Sequence, residues 1–195
     1  MIKALIGNGG HAKEAMVQML DKNIVRFVDD NYWNNEDENL LPLSKFDPLK
    51  YEILVAVANS KDRYDIVHRL PANTRYFSFI HPTAMILDQN IEIGYGSFIG
   101  AFSILTTNIK IGKHAILNRG NHVGHDTVCG DFLSMMPGAI ISGSCKISER
   151  VYLGTLSAIR EKISICHDVI IGLNSSVVKD IEKAGVYVGT PARLL

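Results

Sequence analysis

The sequence predicts a small α/β domain over residues 1–80, followed by a parallel β-helix over residues 81–195. Two patterns predict this order. In the first third, apolar strands alternate with helical segments, which is typical of a parallel sheet covered by helices. From residue 93 onward, an apolar residue recurs at every sixth position without interruption. Such a short period is typical of a solenoid that stacks one coil on the next.

Composition and charge exclude several classes of protein. The chain has 195 residues, with 20 Lys and Arg against 20 Asp and Glu, so no excess charge favours nucleic acid or an anionic membrane. No apolar run approaches the ~20 residues of a membrane span, and the first residues predict a strand and a turn rather than a signal peptide. Three cysteines within the repeat do not suggest a disulfide framework, so we expect a cytoplasmic protein.

The elements of the first domain follow from local patterns. Strands are predicted at Ile2–Ile6, Ile24–Val28, Ile53–Ala58 and Tyr76–Ile80. Apolar residues at helical spacing predict one helix over Ala12–Leu20 and another over Lys61–Leu70, with Ser60 as the N-cap of the second. Residues 31–50 are polar and contain two prolines, and they predict a loop.

A nucleotide-binding pattern follows the first strand. Gly7, Gly9 and Ala12 match the spacing G-x-G-x-x-A between a strand and a helix, and Asp29 ends the second strand. Glycines let the backbone approach a phosphate, and a strand-end carboxylate can hold a ribose hydroxyl. The domain is too short for a dinucleotide fold with two halves, so the pattern favours a mononucleotide-like ligand over NAD. A tight turn without a ligand is the alternative.

The period of six assigns an inside and an outside to each strand of the second domain. The periodic residues stack inside the coils, and three short strands complete each coil. They are Ile93, Ile99, Leu105, Ile111, Leu117, Val123, Cys129, Met135, Ile141, Ile147, Leu153, Ile159, Ile165, Ile171 and Val177. Because side chains alternate along a strand, the residue before each of these points outward.

The outward residues define three sides of a prism. The first side carries Phe98, Ile116, Ser134, Tyr152 and Ile170. The second side carries Ile104, His122, Ile140, Ala158 and Ser176. The third side carries Glu92, Lys110, Val128, Lys146 and Ser164. Two sides are mainly apolar, and a solvated monomer should not expose both. We therefore expect a homotrimer with ligand sites in the grooves between prisms.

One corner of the prism carries a candidate for acid–base chemistry. His125 and Asp126 follow a strand of the second side, and Gly143 comes one coil after His125. The carboxylate can set the tautomer of the ring, and a glycine leaves its N–H accessible. A base beside an open N–H suits acyl transfer. A solvent-exposed corner histidine without a role is the alternative.

The other histidines and cysteines give weaker signals. His114, His122 and His125 lie close in sequence, yet their spacing does not match a zinc site between subunits, so we expect no metal. Cys129 and Cys145 are predicted to point into the core. The corner residue Cys166 has only His167 beside it and is a poor candidate for a nucleophile.

Motifs spread over the whole chain point to one family. They are Gly7-Asn8-Gly9-Gly10-His11, Asp29-Asp30, Asn59 with Arg63, His81-Pro82-Thr83-Ala84, Asn118, Gly124-His125-Asp126, Pro137-Gly138-Ala139 and Val188-Gly189-Thr190-Pro191-Ala192. In these the chain resembles the bacterial hexapeptide acetyltransferases of nucleotide-linked aminosugars. That family includes bacillosamine and perosamine N-acetyltransferases and sialic acid O-acetyltransferases. The resemblance implies a left-handed β-helix.

The resemblance also implies ligands and roles. It implies that a nucleotide-linked 4-amino-4,6-dideoxy sugar binds through Gly7, Asn8, Gly9, Gly10, His11, Asp29, Asp30, Asn59, Arg63 and Asn118. It implies that acetyl-CoA lies in the groove between subunits, on Gly143, Thr155 and Leu173. His125 would be the general base with Asp126 supporting it, and Gly143 would offer its N–H to the thioester carbonyl.

Alternatives remain open at this level. The acceptor could be a hydroxyl, as in a sialic acid O-acetyltransferase, or the chain could be a non-catalytic nucleotide-sugar-binding protein. The glycine pattern also raises an NAD-dependent oxidoreductase, which the short first domain disfavours. Ser134 stands where many relatives carry a second histidine, and a serine hydroxyl cannot serve as a base there.

Overall fold

The N-terminal domain is a five-stranded parallel sheet flanked by two helices. The computed structural model describes residues 1–35 and 37–195. The strands are β1 (Ile2–Ile6), β2 (Val25–Val28), β3 (Leu40–Pro42), β4 (Tyr51–Val55) and β5 (Arg75–Tyr76), and the helices are α1 (Gly10–Gln18) and α2 (Ser60–Arg69). The sheet order is β3-β2-β1-β4-β5. The carboxyl ends of β1, β2 and β4 therefore meet at one edge, where parallel sheets commonly bind ligands.

Several local predictions for this domain need correction. The segment 31–50, whose residue 36 lies outside the described residues, contains β3 and is not simply a loop. Helix α1 ends at Gln18, because Leu20 adopts a left-handed backbone with φ of 55°. The N-cap of α2 is Asn59, whose side chain accepts hydrogen bonds from the N–H groups of Lys61 and Asp62, so the prediction of Ser60 as N-cap was wrong.

The second domain is the predicted left-handed parallel β-helix. Its strands are β6 (Phe79–Ile80), β7 (Met85–Ile86), β8 (Glu92–Ile93), β9 (Phe98–Ile99), β10 (Ile104–Leu105), β11 (Lys110–Ile111), β12 (Ile116–Leu117), β13 (His122–Val123), β14 (Val128–Cys129), β15 (Ser134–Met135), β16 (Ile140–Ile141), β17 (Lys146–Ile147), β18 (Tyr152–Leu153), β19 (Ala158–Ile159), β20 (Ser164–Ile165), β21 (Val169–Ile171), β22 (Ser176–Val177), β23 (Gly185–Val188) and β24 (Arg193–Leu194).

Pairing between coils follows the period of six. On the second side, for example, His122 pairs with Ile104 on one coil and with Ile140 on the next. The periodic apolar residues form one continuous buried core inside the coils, so the predicted inward and outward assignment is confirmed. Burial of that apolar stack supplies the main driving force for this domain.

The junction between the domains differs from the expected residue 80. The predicted strand Tyr76–Ile80 is two strands, because β5 pairs with β4 whereas β6 pairs with β9 of the β-helix. The first side of the prism therefore begins at Phe79, two residues before the predicted boundary.

The N-terminal domain covers the first side of the prism at the coils that contain Phe98, Ile116 and Ser134. Phe98, Ile116 and Ser134 are fully buried there, and Ala12 and Ala15 of α1 pack in the same apolar cluster as Phe98 and Ile116. This overturns part of the argument for a trimer, since one of the two apolar sides is covered within the same chain. The second side keeps an exposed Ile140.

Candidate active site

His125 and Asp126 form a hydrogen-bonded pair at the corner between the second and third sides. Asp126 occupies the left-handed corner position with φ of 57°, and its Oδ2 lies 2.8 Å from Nδ1 of His125. The side-chain amide of Asn108 donates a hydrogen bond of 2.6 Å to Oδ1 of Asp126. This bond and the one from His125 hold the pKa of the Asp126 carboxyl below its usual range. An ionised Asp126 accepts a hydrogen bond from the Nδ1–H group of His125, and this tautomer leaves the Nε2 lone pair available as a base.

Gly143 lies against the imidazole ring of His125, as the spacing of one coil predicts. A Cβ atom at Gly143 would lie 2.6 Å from Nε2 and 2.7 Å from Cε1 of His125, so only glycine leaves room for the ring. The neighbouring N–H of Ser144 donates to the carbonyl of His125 at 2.7 Å. Among the described residues, no backbone acceptor pairs with the Gly143 N–H.

A cavity of about 480 Å³ opens at the carboxyl ends of β1, β2 and β4. It is lined by the glycine turn, the end of β2 and one face of α2, through Ile6, Gly7, Asn8, Gly9, Phe27, Val28, Asp29, Tyr32, Val57, Asp62, Ile66 and Arg69. The volume and position are those expected for a small-molecule site in an open parallel sheet.

The glycine turn leaves the amino end of α1 open toward this cavity. Gly7 has φ of +124°, and a Cβ atom there would lie 2.9 Å from the Ala56 carbonyl, so the turn requires glycine. Gly9 and Gly10 meet nothing within 4 Å at the Cβ position. No side chain within residues 1–35 and 37–195 caps α1, and its first turn holds no acidic residue. Free N–H groups and the helix dipole there favour an anion such as a phosphate.

The two predicted acidic contacts at this edge of the sheet, Asp29 and Asp30, lie differently relative to the cavity. Asp29 lines the cavity and also accepts hydrogen bonds from the backbone and side chain of Asn31. Asp30 is exposed, does not line the cavity, and accepts a hydrogen bond from Ser44 N at 3.1 Å. The strand-end acid with access to a ligand is therefore Asp29.

Other predicted contacts lie outside the cavity. His11 is 8% exposed and sits between α1 and the Phe98 ring, with centroids 5.2 Å apart. Burial, reinforced by the charge of Arg63, lowers the pKa of His11 to about 4. Asn118 is 3% exposed and donates to Glu14 at 3.0 Å.

The segment after β4 lies at the contact between the two domains. Asn59 is occupied as the N-cap of α2, and it borders a smaller cleft of about 220 Å³ with Arg150 and Asp168. Arg63 is fully buried and donates to carbonyls of both domains. The expectation that Arg63 touches the substrate is therefore wrong for this arrangement.

Ser134 belongs to the same contact. Its hydroxyl donates to the Ala58 carbonyl at 2.6 Å and lies 2.9 Å from Nη2 of Arg63 and 3.0 Å from Ser60 Oγ. Because the N-terminal domain covers it completely, this position packs the domains together rather than contacting a ligand.

The predicted acetyl-CoA contacts do not form one site within a chain. Thr155 and Leu173 lie exposed at the corner between the first and second sides, whereas Gly143 lies at the corner between the second and third. The first side, which carries the N-terminal domain, is opposite the corner that holds His125. Within one chain, the cavity of the N-terminal domain and the His125–Gly143 pair therefore lie on opposite sides of the prism.

Metal and thiol chemistry find little support in the described part of the chain. No group of three or more His, Cys, Asp or Glu side chains there is arranged to hold a metal ion. All three cysteines are free thiols, and burial raises the pKa of Cys166. None of the helices within residues 1–35 and 37–195 is long and apolar enough to cross a membrane.

Sequence reasoning missed several residues of the two regions. Asn108 precedes Asp126 by one coil, so the stacking that placed Gly143 over His125 could have identified it. Asp62, Ile66 and Arg69 line the cavity from one face of α2. Their helical spacing was visible, but which face of α2 meets a ligand depends on how the helix docks on the sheet.

Comparison with known proteins finds similarity to acetyltransferases. Residues 4–70 match the PglD N-terminal domain family. A curated GDP-perosamine N-acetyltransferase of Escherichia coli O157:H7 is 29% identical over 116 residues, which cover 59% of this chain and 52% of that protein. The chain thus spans about half the length of this relative.

Solved structures extend the likeness over the whole chain. WeeI from Acinetobacter baumannii AYE superposes with a TM-score of 0.88 at 29% identity, covering 100% of both chains. The acetyltransferase domain of PglB from Neisseria gonorrhoeae FA1090, in complex with acetyl coenzyme A, superposes with a TM-score of 0.70 at 26% identity, covering 99% of this chain and 98% of that one.

An α/β domain on a β-helix of hexapeptide repeats is the architecture that this chain shares with the acyltransferases of the hexapeptide-repeat class. Within that class, the relatives that the chain resembles include acetyltransferases of nucleotide-linked aminosugars, the family that its motifs also resemble.

Proposed function

We propose that this protein transfers the acetyl group of acetyl-CoA directly to the amino group of a nucleotide-linked 4-amino-4,6-dideoxy sugar. The observation that carries the proposal is the His125–Asp126 pair, whose ring packs against Gly143. The perosamine N-acetyltransferase relative supports the aminosugar nucleotide as acceptor, and the PglB domain supports acetyl-CoA as donor.

The chemistry assigns one role to each of three residues. The neutral sugar amine attacks the thioester carbonyl, the C–N bond forms, and Nε2 of His125 takes the amine proton. Asp126 stabilises the imidazolium that results, and the Gly143 N–H stabilises the oxyanion. The C–S bond then breaks, and the departing CoA thiolate receives a proton from His125. No covalent enzyme intermediate is required.

The acceptor binds in the cavity of the N-terminal domain. The open amino end of α1 suits the diphosphate, and Asp29 suits a donor on the ribose or the base. Gly7 and Asn8 form the turn beneath it, and Asn8 is oriented by a hydrogen bond of 2.7 Å from Nη1 of Arg26 to its Oδ1.

The reaction requires more than one copy of the chain. The cavity lies on the domain that covers the first side, and His125 lies at the opposite corner, so a second copy must bring its corner to the cavity. The exposed Ile140 on the second side and the exposed Leu173 at its edge provide apolar surface for that contact. A homotrimer whose grooves hold acetyl-CoA, in the cytoplasm, completes the proposal.

Thiol release from acetyl-CoA tests the function. The protein is mixed with acetyl-CoA and GDP-, UDP- or dTDP-linked 4-amino-4,6-dideoxyhexoses, and products are identified by mass spectrometry. We expect thiol release with at least one amine and an N-acetyl product. The matched control is the same nucleotide sugar with a 4-hydroxyl group. Transfer to the hydroxyl compound or to free sialic acid would indicate an O-acetyltransferase, and binding without thiol release would indicate a non-catalytic protein.

A further inference from the structure

Arg63 occupies an unusual environment for a charged side chain. It is fully buried, and each hydrogen bond that it makes to a described residue goes to a backbone carbonyl or to the Ser134 hydroxyl rather than to a carboxylate. Removing a guanidinium from water is costly unless all its donors are satisfied. A buried guanidinium can hold several carbonyls in fixed positions by hydrogen bonds, which a buried apolar side chain cannot do.

The acceptors of Arg63 fall into two groups. Nη1 donates to the carbonyls of Val57 at 2.6 Å and Ala58 at 3.1 Å, in the loop between β4 and α2. Nε and Nη2 donate to coils of the β-helix, through His114 O at 2.8 Å and Phe132 O at 3.0 Å. The planar guanidinium therefore holds the loop at one distance and orientation from the β-helix.

That loop and the helix it begins form one wall of the nucleotide-like cavity. Val57 and Asp62 line the cavity directly. The loop also packs on the opposite wall, since the Ala56 carbonyl is the atom that a Cβ on Gly7 would meet. A shift of the loop would thus move both walls of the cavity against the β-helix.

We propose that Arg63 is a positioning residue for the acceptor substrate, which it never touches. It sets the position of the β4–α2 loop, and through it the placement of the bound nucleotide sugar relative to the coils. The inference rests on the proposed function for its kinetic consequence. Its structural consequence, order in residues 56–62, stands independently of any activity.

The test compares Arg63→Lys with Ile116→Ala. Lysine keeps the charge, but its ammonium cannot reach both groups of carbonyls. Ile116 is buried in the same interdomain contact, under α1, and does not contribute to the cavity lining. Both variants are expected to lower the melting temperature, which makes Ile116→Ala the control for a purely structural loss.

Two readouts separate positioning from stability. In ligand-free protein, amide hydrogen exchange over residues 56–62 should accelerate in Arg63→Lys and not in Ile116→Ala. In the acetyl-transfer assay, Arg63→Lys should lower kcat/KM for the nucleotide sugar by about tenfold to hundredfold, the loss in rate expected for a displacement near 1 Å, with the KM for acetyl-CoA unchanged. Should Arg63→Lys not fold, Ser134→Ala removes one partner of Nη2 and should show the same pattern at smaller size.

The outcomes are distinguishable. Equal hydrogen exchange and equal kcat/KM for the nucleotide sugar in Arg63→Lys and Ile116→Ala would overturn the positioning role. An inactive wild-type protein would overturn the proposed function alone, and the exchange data would still decide the role of Arg63.

Discussion

The imidazole ring of His125 fills the space that a side chain at position 143 would need. The imidazole of His125 lies where a Cβ atom of Gly143 would be, 2.6 Å from Nε2. Gly143 does not have a positive φ, so its backbone would accept alanine. The glycine is thus explained by the ring beside it rather than by a turn.

Replacing Gly143 by alanine should therefore displace the base without disturbing the fold. We expect kcat to fall by about tenfold or more, because the ring leaves its position next to Asp126. The measurement is a double-mutant cycle with His125→Ala. In the His125→Ala background the added methyl has no ring to meet and should cost little further activity. Additive losses would mean that Gly143 acts independently of His125.

His125→Ala should lower kcat by about 10²–10⁴, the usual contribution of a positioned acid–base group. The measurement is kcat at saturating acetyl-CoA and nucleotide sugar, together with light scattering to show that the variant keeps the wild-type assembly. His167→Ala is a matched control, because His167 makes the same 2.8 Å contact to Asp168 and is equally exposed. A wild-type kcat in His125→Ala would contradict its role as the base and would shift attention to His122.

Asp29→Ala should raise the KM for the nucleotide sugar and leave the KM for acetyl-CoA unchanged. The carboxylate lines the cavity, and loss of a hydrogen bond to a charged group is worth about 1–3 kcal/mol. Gly9→Val should act similarly by filling the open space at the amino end of α1. Asp30→Ala is the control, since Asp30 does not line the cavity. Titration showing equal affinity in all three variants would place the acceptor elsewhere.

Ile140→Glu should dissociate the proposed trimer while each chain stays folded. Ile140 is 40% exposed on the second side, and burying an unpaired carboxylate in an interface costs several kcal/mol. Light scattering should report the fall in mass, and circular dichroism should report an intact fold. Ile116→Glu should instead unfold or detach the N-terminal domain, because Ile116 is buried within the chain. A wild-type protein that is monomeric and active would contradict the shared site.

Stability should decrease in mild acid because of two buried imidazoles. Burial lowers the pKa of both His11 and His114 to about 4 from 6.5. The unfolded chain gains these protons near pH 6.5 and the folded chain only near pH 4, so stability present above pH 6.5 is lost as the pH falls toward 4.

Between pH 7 and pH 5 this loss amounts to about 2 kcal/mol for each histidine. Denaturant unfolding at the two pH values measures it. His114 is enclosed by the rings of Tyr76, Tyr95 and Phe132, and His114→Phe should reduce the pH dependence by about half. An unchanged dependence in that variant would remove His114 from the explanation.

The period of six was sufficient to predict the β-helix, its inward and outward residues, and the meeting of His125 with Gly143. These features depend on local geometry, because each coil repeats the one before it and stacking is read directly from the spacing. The strand–glycine–helix pattern likewise placed Gly7, Gly9 and Asp29 at one edge of a sheet. Each of these relationships joins residues within one regular element or between neighbouring coils.

Only the tertiary structure decided what covers the first side of the prism and what Arg63, Asn59 and Ser134 do. The contacts of Arg63 with the carbonyls of His114 and Phe132 join residues 51 and 69 positions apart, and no local pattern encodes them. An apolar ladder has the same appearance in sequence whether its own domain or a second copy covers it. The N-terminal domain covers the first side because its side chains contact residues of the β-helix that lie far away along the chain.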